Sequence, residues 1–227
     1  MKKYLVSTII LFSFYISYSS SHVEHYKNLN HLNYLLFFND KPIGNHSFDF
    51  KKKGSLLHVK SNGNFKLDKM GINLMDYYTT SEEIYKNGQL IEFNSKTKQN
   101  NKEKYVKIAL NKKNLLFIDG SSFKGEADKT TLVGTWWNHS IINKNQQISA
   151  ISGRLIPQKV KFLGKETIKI NNKNYNSLHF HFVSDNSKPI EKKKLNIHVW
   201  YDEKSLLWLK SSYDKLGKWE YRLKDVR

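Results

Sequence analysis

Leu195-Asn196-Ile197-His198-Val199-Trp200-Tyr201 is the stretch whose reading decides the fold. Leu195, Ile197, Val199 and Tyr201 alternate with Asn196, His198 and Trp200. A period of two puts the first set on one face of a strand and the second on the other. The pattern recurs on both sides. Leu207 and Leu209 follow it, and Trp219, Tyr221 and Leu223 alternate with Lys218, Glu220 and Arg222. Upstream, Leu178, Phe180 and Phe182 take one face of a strand and His179 and His181 the other. Further back, strands are predicted over 32–38, 43–50, 57–67, 72–78, 82–85, 90–97, 105–110, 115–118, 148–156, 159–163, 167–170 and 175–183. Asn87-Gly88 and Asn171-Asn172-Lys173-Asn174 supply hairpin turns, and Asn39-Asp40-Lys41-Pro42 supplies another through Pro42. Leu57, Val59, Phe65 and Leu67 share one parity across Asn62-Gly63, which predicts a bent or bulged strand. Asp119-Gly120-Ser121-Ser122 opens one polar loop, and residues 184–194 form another.

About a dozen short strands joined mostly by hairpin-length turns define an all-β antiparallel meander. Strand twist and the exposure of unpaired edges make so many strands curl into a barrel or a curved half-barrel. One stretch breaks the period. In Gly134-Thr135-Trp136-Trp137-Asn138-His139-Ser140-Ile141-Ile142 the apolar residues fall at helical spacing. A short helix is predicted near residues 132–142, with Trp136, Trp137, Ser140 and Ile141 on one face and Thr135 as its cap. Such a helix plugs an open end or covers a concave face.

Composition bounds the function. The 227 residues contain no cysteine, which excludes thiol catalysis, thiolate metal sites and a lipidated N-terminal cysteine. Residues 1–21 read as a cleaved signal peptide: Lys2 and Lys3, an apolar run from Tyr4 to Ile16, then serines at small-x-small spacing. Serines interrupt that run, which disfavours an uncleaved anchor. The mature chain, 22–227, is expected to be one β-barrel-like domain, periplasmic or secreted, and monomeric. Its net charge of +18 falls to +16 without Lys2 and Lys3. Arg154, Arg222 and Arg227 are the only arginines, so the basic charge is lysine, which argues against nucleic-acid readout. The charge suits attraction to an anionic lipid or glycan, with peripheral membrane-surface contact.

The assembled pieces resemble an uncharacterised family of exported bacterial proteins, the domain-of-unknown-function family numbered 6134. The pieces are Asp40–His46 (DKPIGNH), Glu83–Leu90 (EIYKNGQL), Trp137-Asn138, Gly153, Gly164-x-Glu166 and Val199-Trp200-Tyr201-Asp202. Their order and spacing carry the likeness from about Leu32 to Leu223. Lys41 and Asn101 stand where turn glycines are common in that family, and Tyr85 replaces a usual tryptophan. The resemblance implies an all-β periplasmic or secreted domain and carries no activity, ligand or catalytic residue. In architecture alone the chain is similar to the curved lipid- and lipoprotein-carrier barrels of the bacterial envelope.

Three constellations could carry chemistry. His179, His181 and His198 would share one face if their strands pair, as a zinc or copper site needs, although no carboxylate partner is evident. Glu82 and Glu83 are adjacent and face opposite sides, so they cannot act together; Glu83 could point inward and need a partner. Trp136, Trp137, Trp200 and Tyr201 could line an aromatic mouth. Motifs for Ser or Thr nucleophiles, phosphate-cradling loops and metalloprotease helices are absent. The reading is a non-enzymatic binding module for an apolar or amphiphilic ligand. Its expected ligand-binding residues are Trp136, Trp137, Asn138, Glu83, His46, Trp200 and Tyr201, with no catalytic residue, metal or cofactor. Two alternatives stand beside it: an envelope hydrolase using Glu83 and His46 as acid and base, and a structural or protein-partner domain with a packed barrel.

Overall fold

The computed structural model describes residues 28–69 and 72–227. The expected signal peptide, 1–21, lies outside them. Eight strands come first: β1 (His31–Phe38), β2 (Lys41–Lys53), β3 (Leu56–Lys69), β4 (Ile72–Lys86), β5 (Gln89–Gln99), β6 (Lys102–Leu110), β7 (Leu115–Gly120) and β8 (Phe123–Asp128). Seven follow: β9 (Leu132–Val133), β10 (Gln146–Ile148), β11 (Leu155–Ile170), β12 (Lys173–Ser184), β13 (Asn196–Asp202), β14 (Trp208–Asp214) and β15 (Lys218–Val226). They form one 15-stranded sheet in the order β8-β7-β6-β5-β4-β3-β2-β1-β15-β14-β13-β12-β11-β10-β9. Every pairing is antiparallel except β9 with β10. The expected all-β meander is what the chain forms.

The sheet folds back on itself without closing. No ladder joins β8 to β9, the two edges, yet residues 129–131 connect them, a gap of at most about 13 Å. The wall is therefore a curved half-barrel whose edges are drawn together by the chain. At its middle the two ends of the described chain meet: β1 pairs β15, and His31 and Arg227 exchange backbone hydrogen bonds of 2.8 and 3.0 Å.

Alternation fixes which side is core. Leu32, Tyr34, Phe48, Phe50, Val59, Phe93, Val106, Ile118, Phe182, Val199 and Leu223 are buried on the inner face and belong to one contiguous cluster. The hairpin turns follow from residues that tolerate the left-handed region. Asn87 and Gly88 have φ of 48° and 80°, and Asn171 and Asn172 have 47° and 64°. The first turn falls on Asn39 and Asp40, with φ of 47° and 61°, and not on Pro42. Pro42 sits inside β2, where the β1–β2 register slips between Leu36 and Phe37.

Other expectations need correction. β3 runs unbroken through Asn62-Gly63; its slip lies later, between Leu67 and Asp68. Gly63 is closely packed: a Cβ there would stand 3.1 Å from the His46 ring and 3.1 Å from Thr79 Cγ2. Residues 72–86 form one strand rather than two, and residues 155–170 join the strands expected over 159–163 and 167–170 to the end of that expected over 148–156, of which 149–154 is a loop. The polar loop expected after Asp119 holds β8, whose inward row has one large residue, Phe123, followed by Gly125 and Ala127, too small to continue a strand signal.

The predicted helix is present but short. It is a 3-10 helix over His139–Asn143, and its cap is Asn138, whose Oδ1 accepts from the Ser140 N–H at 3.2 Å. Thr135 does not cap it, because Trp136 at φ 63° cannot continue a right-handed helix. The two tryptophans therefore precede the helix and diverge from it. Segment 129–154 crosses the inner face and docks at both ends, by Gln89 Nε2 to the Lys129 carbonyl at 2.5 Å and Ser95 Oγ to the Ala150 carbonyl at 2.6 Å.

That docking depends on Gly120, where an added Cβ would lie 2.7 Å from the Ser152 carbonyl oxygen. Gly120→Val should lower stability by about 1–3 kcal/mol through overpacking against backbone. Urea denaturation checks this; an unchanged midpoint would mean that the 149–154 loop does not pack as described.

Candidate functional site

A buried polar cluster is built where segment 129–154 meets β4. The reversal at Trp136 sends the paired indoles in opposite directions. Trp136 packs edge-on against Phe182 at 5.1 Å. Trp137 is fully buried between Phe50 and Tyr85, with ring centroids at 5.3 and 5.5 Å. Its Nε1 donates to Glu83 Oε1 at 2.9 Å, and the Tyr85 hydroxyl donates to Glu83 Oε2 at 2.7 Å. Glu83 and Tyr85 lie two residues apart on β4, so both point inward.

Glu83 is 0% exposed. Burial raises its pKa to about 7; the hydrogen bonds from Tyr85 and Trp137 favour the anion but do not offset the lost solvation. The carboxyl thus titrates near neutrality, yet the indole and phenol that hold it also seal it from solvent. Asn138 is buried beside it, and the Tyr201 hydroxyl donates to the Trp136 carbonyl at 2.9 Å. Five of the expected residues, Glu83, Trp136, Trp137, Asn138 and Tyr201, are thereby brought into one connected region.

The other two are not. His46 faces inward, its ring tilted against Phe48 with centroids 4.4 Å apart, and burial lowers its pKa to about 4. Its row is Gly63 and Thr79, whereas Glu83 shares a row with Val59 and Phe50. The rows are four residues apart, roughly 13 Å along the strands. The acid–base pair needed for the hydrolase alternative is not assembled. Trp200 is neighbour in sequence to Tyr201 and so points through the opposite face; the mouth shared by those two residues does not exist.

On that outer face the three histidines do meet. His181 pairs His198 across β12 and β13, and His179 pairs Trp200. They stack rather than converge: the His181 and His198 rings lie 4.3 Å apart at an interplanar angle of 8°. Lone pairs lie in the ring plane, so parallel rings aim them side by side and not at one point. Among the described residues no three His, Cys, Asp or Glu side chains are placed to hold a metal ion.

Sequence reasoning missed the carboxylate of this cluster. Glu166 on β11 accepts from His179 Nδ1 at 2.8 Å and from Trp200 Nε1 at 2.6 Å. A register slip between Phe162 and Gly164 brings it opposite Ser177, on the histidine side. His179 Nε2 and His198 Nδ1 are 2.8 Å apart, and His181 Nε2 meets Asn196 Oδ1 at 2.7 Å. Trp200 lies between the His179 ring, stacked at 4.2 Å, and Lys210 Nζ at 5.0 Å. Next to it, burial alone would raise the Glu220 pKa, but hydrogen bonds from Lys210 and Arg222 outweigh that and hold it down to about 2.

The architecture and interior define a class: an open β half-barrel plugged by its own connecting segment. The sequence places it further. The chain belongs to the family described as a domain of unknown function, DUF6134, which matches residues 34–224. In fold it is similar to the crystal structure of a beta-barrel-like protein of domain of unknown function DUF1849 from Brucella abortus. The two share 11% identity at a TM-score of 0.62, over 87% of this chain and 97% of that one. No curated protein matches the sequence.

Two titrations test the site. With its pKa raised from 4.5 to about 7, Glu83 contributes stability that is fully present below 4.5 and lost as pH rises to about 7. The stability of wild type relative to Glu83→Gln should fall across that window by on the order of 3 kcal/mol and stay level above it. His198 behaves oppositely. Burial, then the neighbouring His181 and His179, lower its pKa to about 4, so its contribution is lost as pH falls from 6.5 to about 4. Relative to His198→Asn, wild type should lose stability in denaturant melts as pH falls from 6.5 to 4. An identical acid profile in the variant would remove His198 as its source.

Proposed function

We propose that this protein is a non-enzymatic binding module of the bacterial envelope, exported to the periplasm or beyond. Its ligand is an apolar or amphiphilic molecule, a lipid or a glycan, taken at the aromatic rim beside Trp136. The observation that carries this is Phe162. It pairs with Phe180 on the inner face of the sheet, the face whose other members form the core, yet it is 51% exposed. Phe180 contacts it at 5.2 Å and continues to Tyr201 at 6.1 Å, whose hydroxyl holds the half-buried Trp136. An uncovered phenylalanine joined to a line of rings that leads into the core offers a surface for an acyl chain or the face of a sugar. The lysine-rich surface would draw an anionic head group to it.

The interior beside Glu83 does not serve, because Trp137 fills it. That filling favours the second reading, a structural or protein-partner domain whose interior is its own ligand. Bromine-labelled phosphatidylglycerol separates the two by quenching tryptophan fluorescence on contact. Saturable quenching that weakens in Phe162→Ser and in Trp136→Phe supports the rim. Absence of quenching, together with native mass spectra free of co-purifying ligand, would leave the packed structural domain.

A further inference from the structure

Away from the aromatic rim, at the start of β11, a concave pocket of about 170 Å³ gathers Arg154, Lys188 and Lys194 over a floor of Leu155, Ile156 and Pro157. We propose that this pocket is a binding site for a phosphoryl group, either inorganic phosphate or the phosphate of a lipid head group. None of the rim residues lines it, so it stands or falls independently of the function proposed above.

Three features of the pocket point the same way. First, its described lining concentrates cations. No carboxylate is found among its described lining residues, and none of Arg154, Lys188 and Lys194 forms an ion pair with the described residues. The nearby Asp185 is engaged elsewhere, by Lys159 Nζ at 3.0 Å. Like charges collected around one concavity repel one another unless an anion sits between them. Second, the carbonyls of the loop are turned to a fourth cation. Lys193 Nζ donates to the carbonyls of Ser184 at 2.8 Å and Asn186 at 2.6 Å, which takes up their negative ends.

Third, the frame is fixed before any ligand arrives. Leu155, Ile156 and Pro157 are laddered to β10. The buried amide of Gln158 behind them accepts from Gln147 at 2.8 Å and donates to the Lys144 carbonyl at 2.9 Å. Across the pocket the Asp185 N–H donates to the Pro157 carbonyl at 2.8 Å, and the Leu195 N–H to Ser184 Oγ at 2.9 Å. A planar guanidinium with two flexible ammonium groups matches a tetrahedral dianion with several terminal oxygens better than a single carboxylate. In a chain whose basic charge is nearly all lysine, one of three arginines lies here.

The test compares wild type with the double variant Arg154→Gln/Lys194→Gln and with a charge-matched control, Lys112→Gln/Lys113→Gln. Thermal melts are recorded against sodium phosphate at constant ionic strength. Flotation is run with phosphatidic acid vesicles and with phosphatidylcholine vesicles. We expect a saturable phosphate-dependent rise in melting temperature whose midpoint weakens at least about tenfold in the pocket variant and stays unchanged in the control. A response to phosphate alone identifies the free anion, and flotation with phosphatidic acid lost in the pocket variant identifies the lipid phosphate. Equal loss in the control would reduce the effect to net charge and overturn the site. So would the absence of both responses in wild type.

Discussion

The half-barrel is held in shape by what fills it, and the filling is anchored by one contact: the indole of Trp137 donating to the carboxyl of Glu83, with the Tyr85 hydroxyl on the other oxygen. An open sheet with fifteen strands has no ladder to stop its edges from separating. Here the segment that links those edges is threaded back across the inner face and fastened to β4. Without a partner, a carboxyl in that position would be intolerable. With two donors it becomes a point of specificity, since only one placement of segment 129–154 satisfies it. The apolar rings around it supply the attraction, and the polar contact selects the register.

The two faces of the wall carry different chemistry because neighbours along a strand must point apart. Tyr201 goes inward to hold the Trp136 carbonyl, while Trp200 goes outward into a stack of His179, Lys210 and the His181–His198 pair. The outer stack joins β11, β12, β13 and β14, and Glu220, held by Lys210, Lys218 and Arg222, extends it to β15. It knits together the strands of the C-terminal half on their solvent side, as the plug knits both halves on the inside.

What could be read from the chain in advance was local or periodic. Asn87-Gly88 specifies its turn by backbone preference alone, and the alternation of Leu195 to Tyr201 gives faces without any knowledge of partners. The meeting of His181 with His198 followed from parity once their strands were taken to pair. The failures share a cause in long-range contact. Glu166 joins His179 only through a one-residue slip near Gly164, which no pattern in that strand marks. Trp136 has a left-handed backbone, its ring going to Phe182 while the next indole goes to Glu83, so the helical spacing of apolar residues overstates the length of the helix. β8 escapes the alternation because Phe123 is followed on its inward row only by Gly125 and Ala127. Glu83 was suspected of facing inward, but its partner indole lies 54 residues away.

The pairing of β1 with β15 places the first and last strands side by side at the centre of the wall. Until β15 is in place the N-terminal meander therefore keeps one flank of β1 bare. A truncated chain that lacks β15 does not lose an ornament at its end; it is cut down the middle.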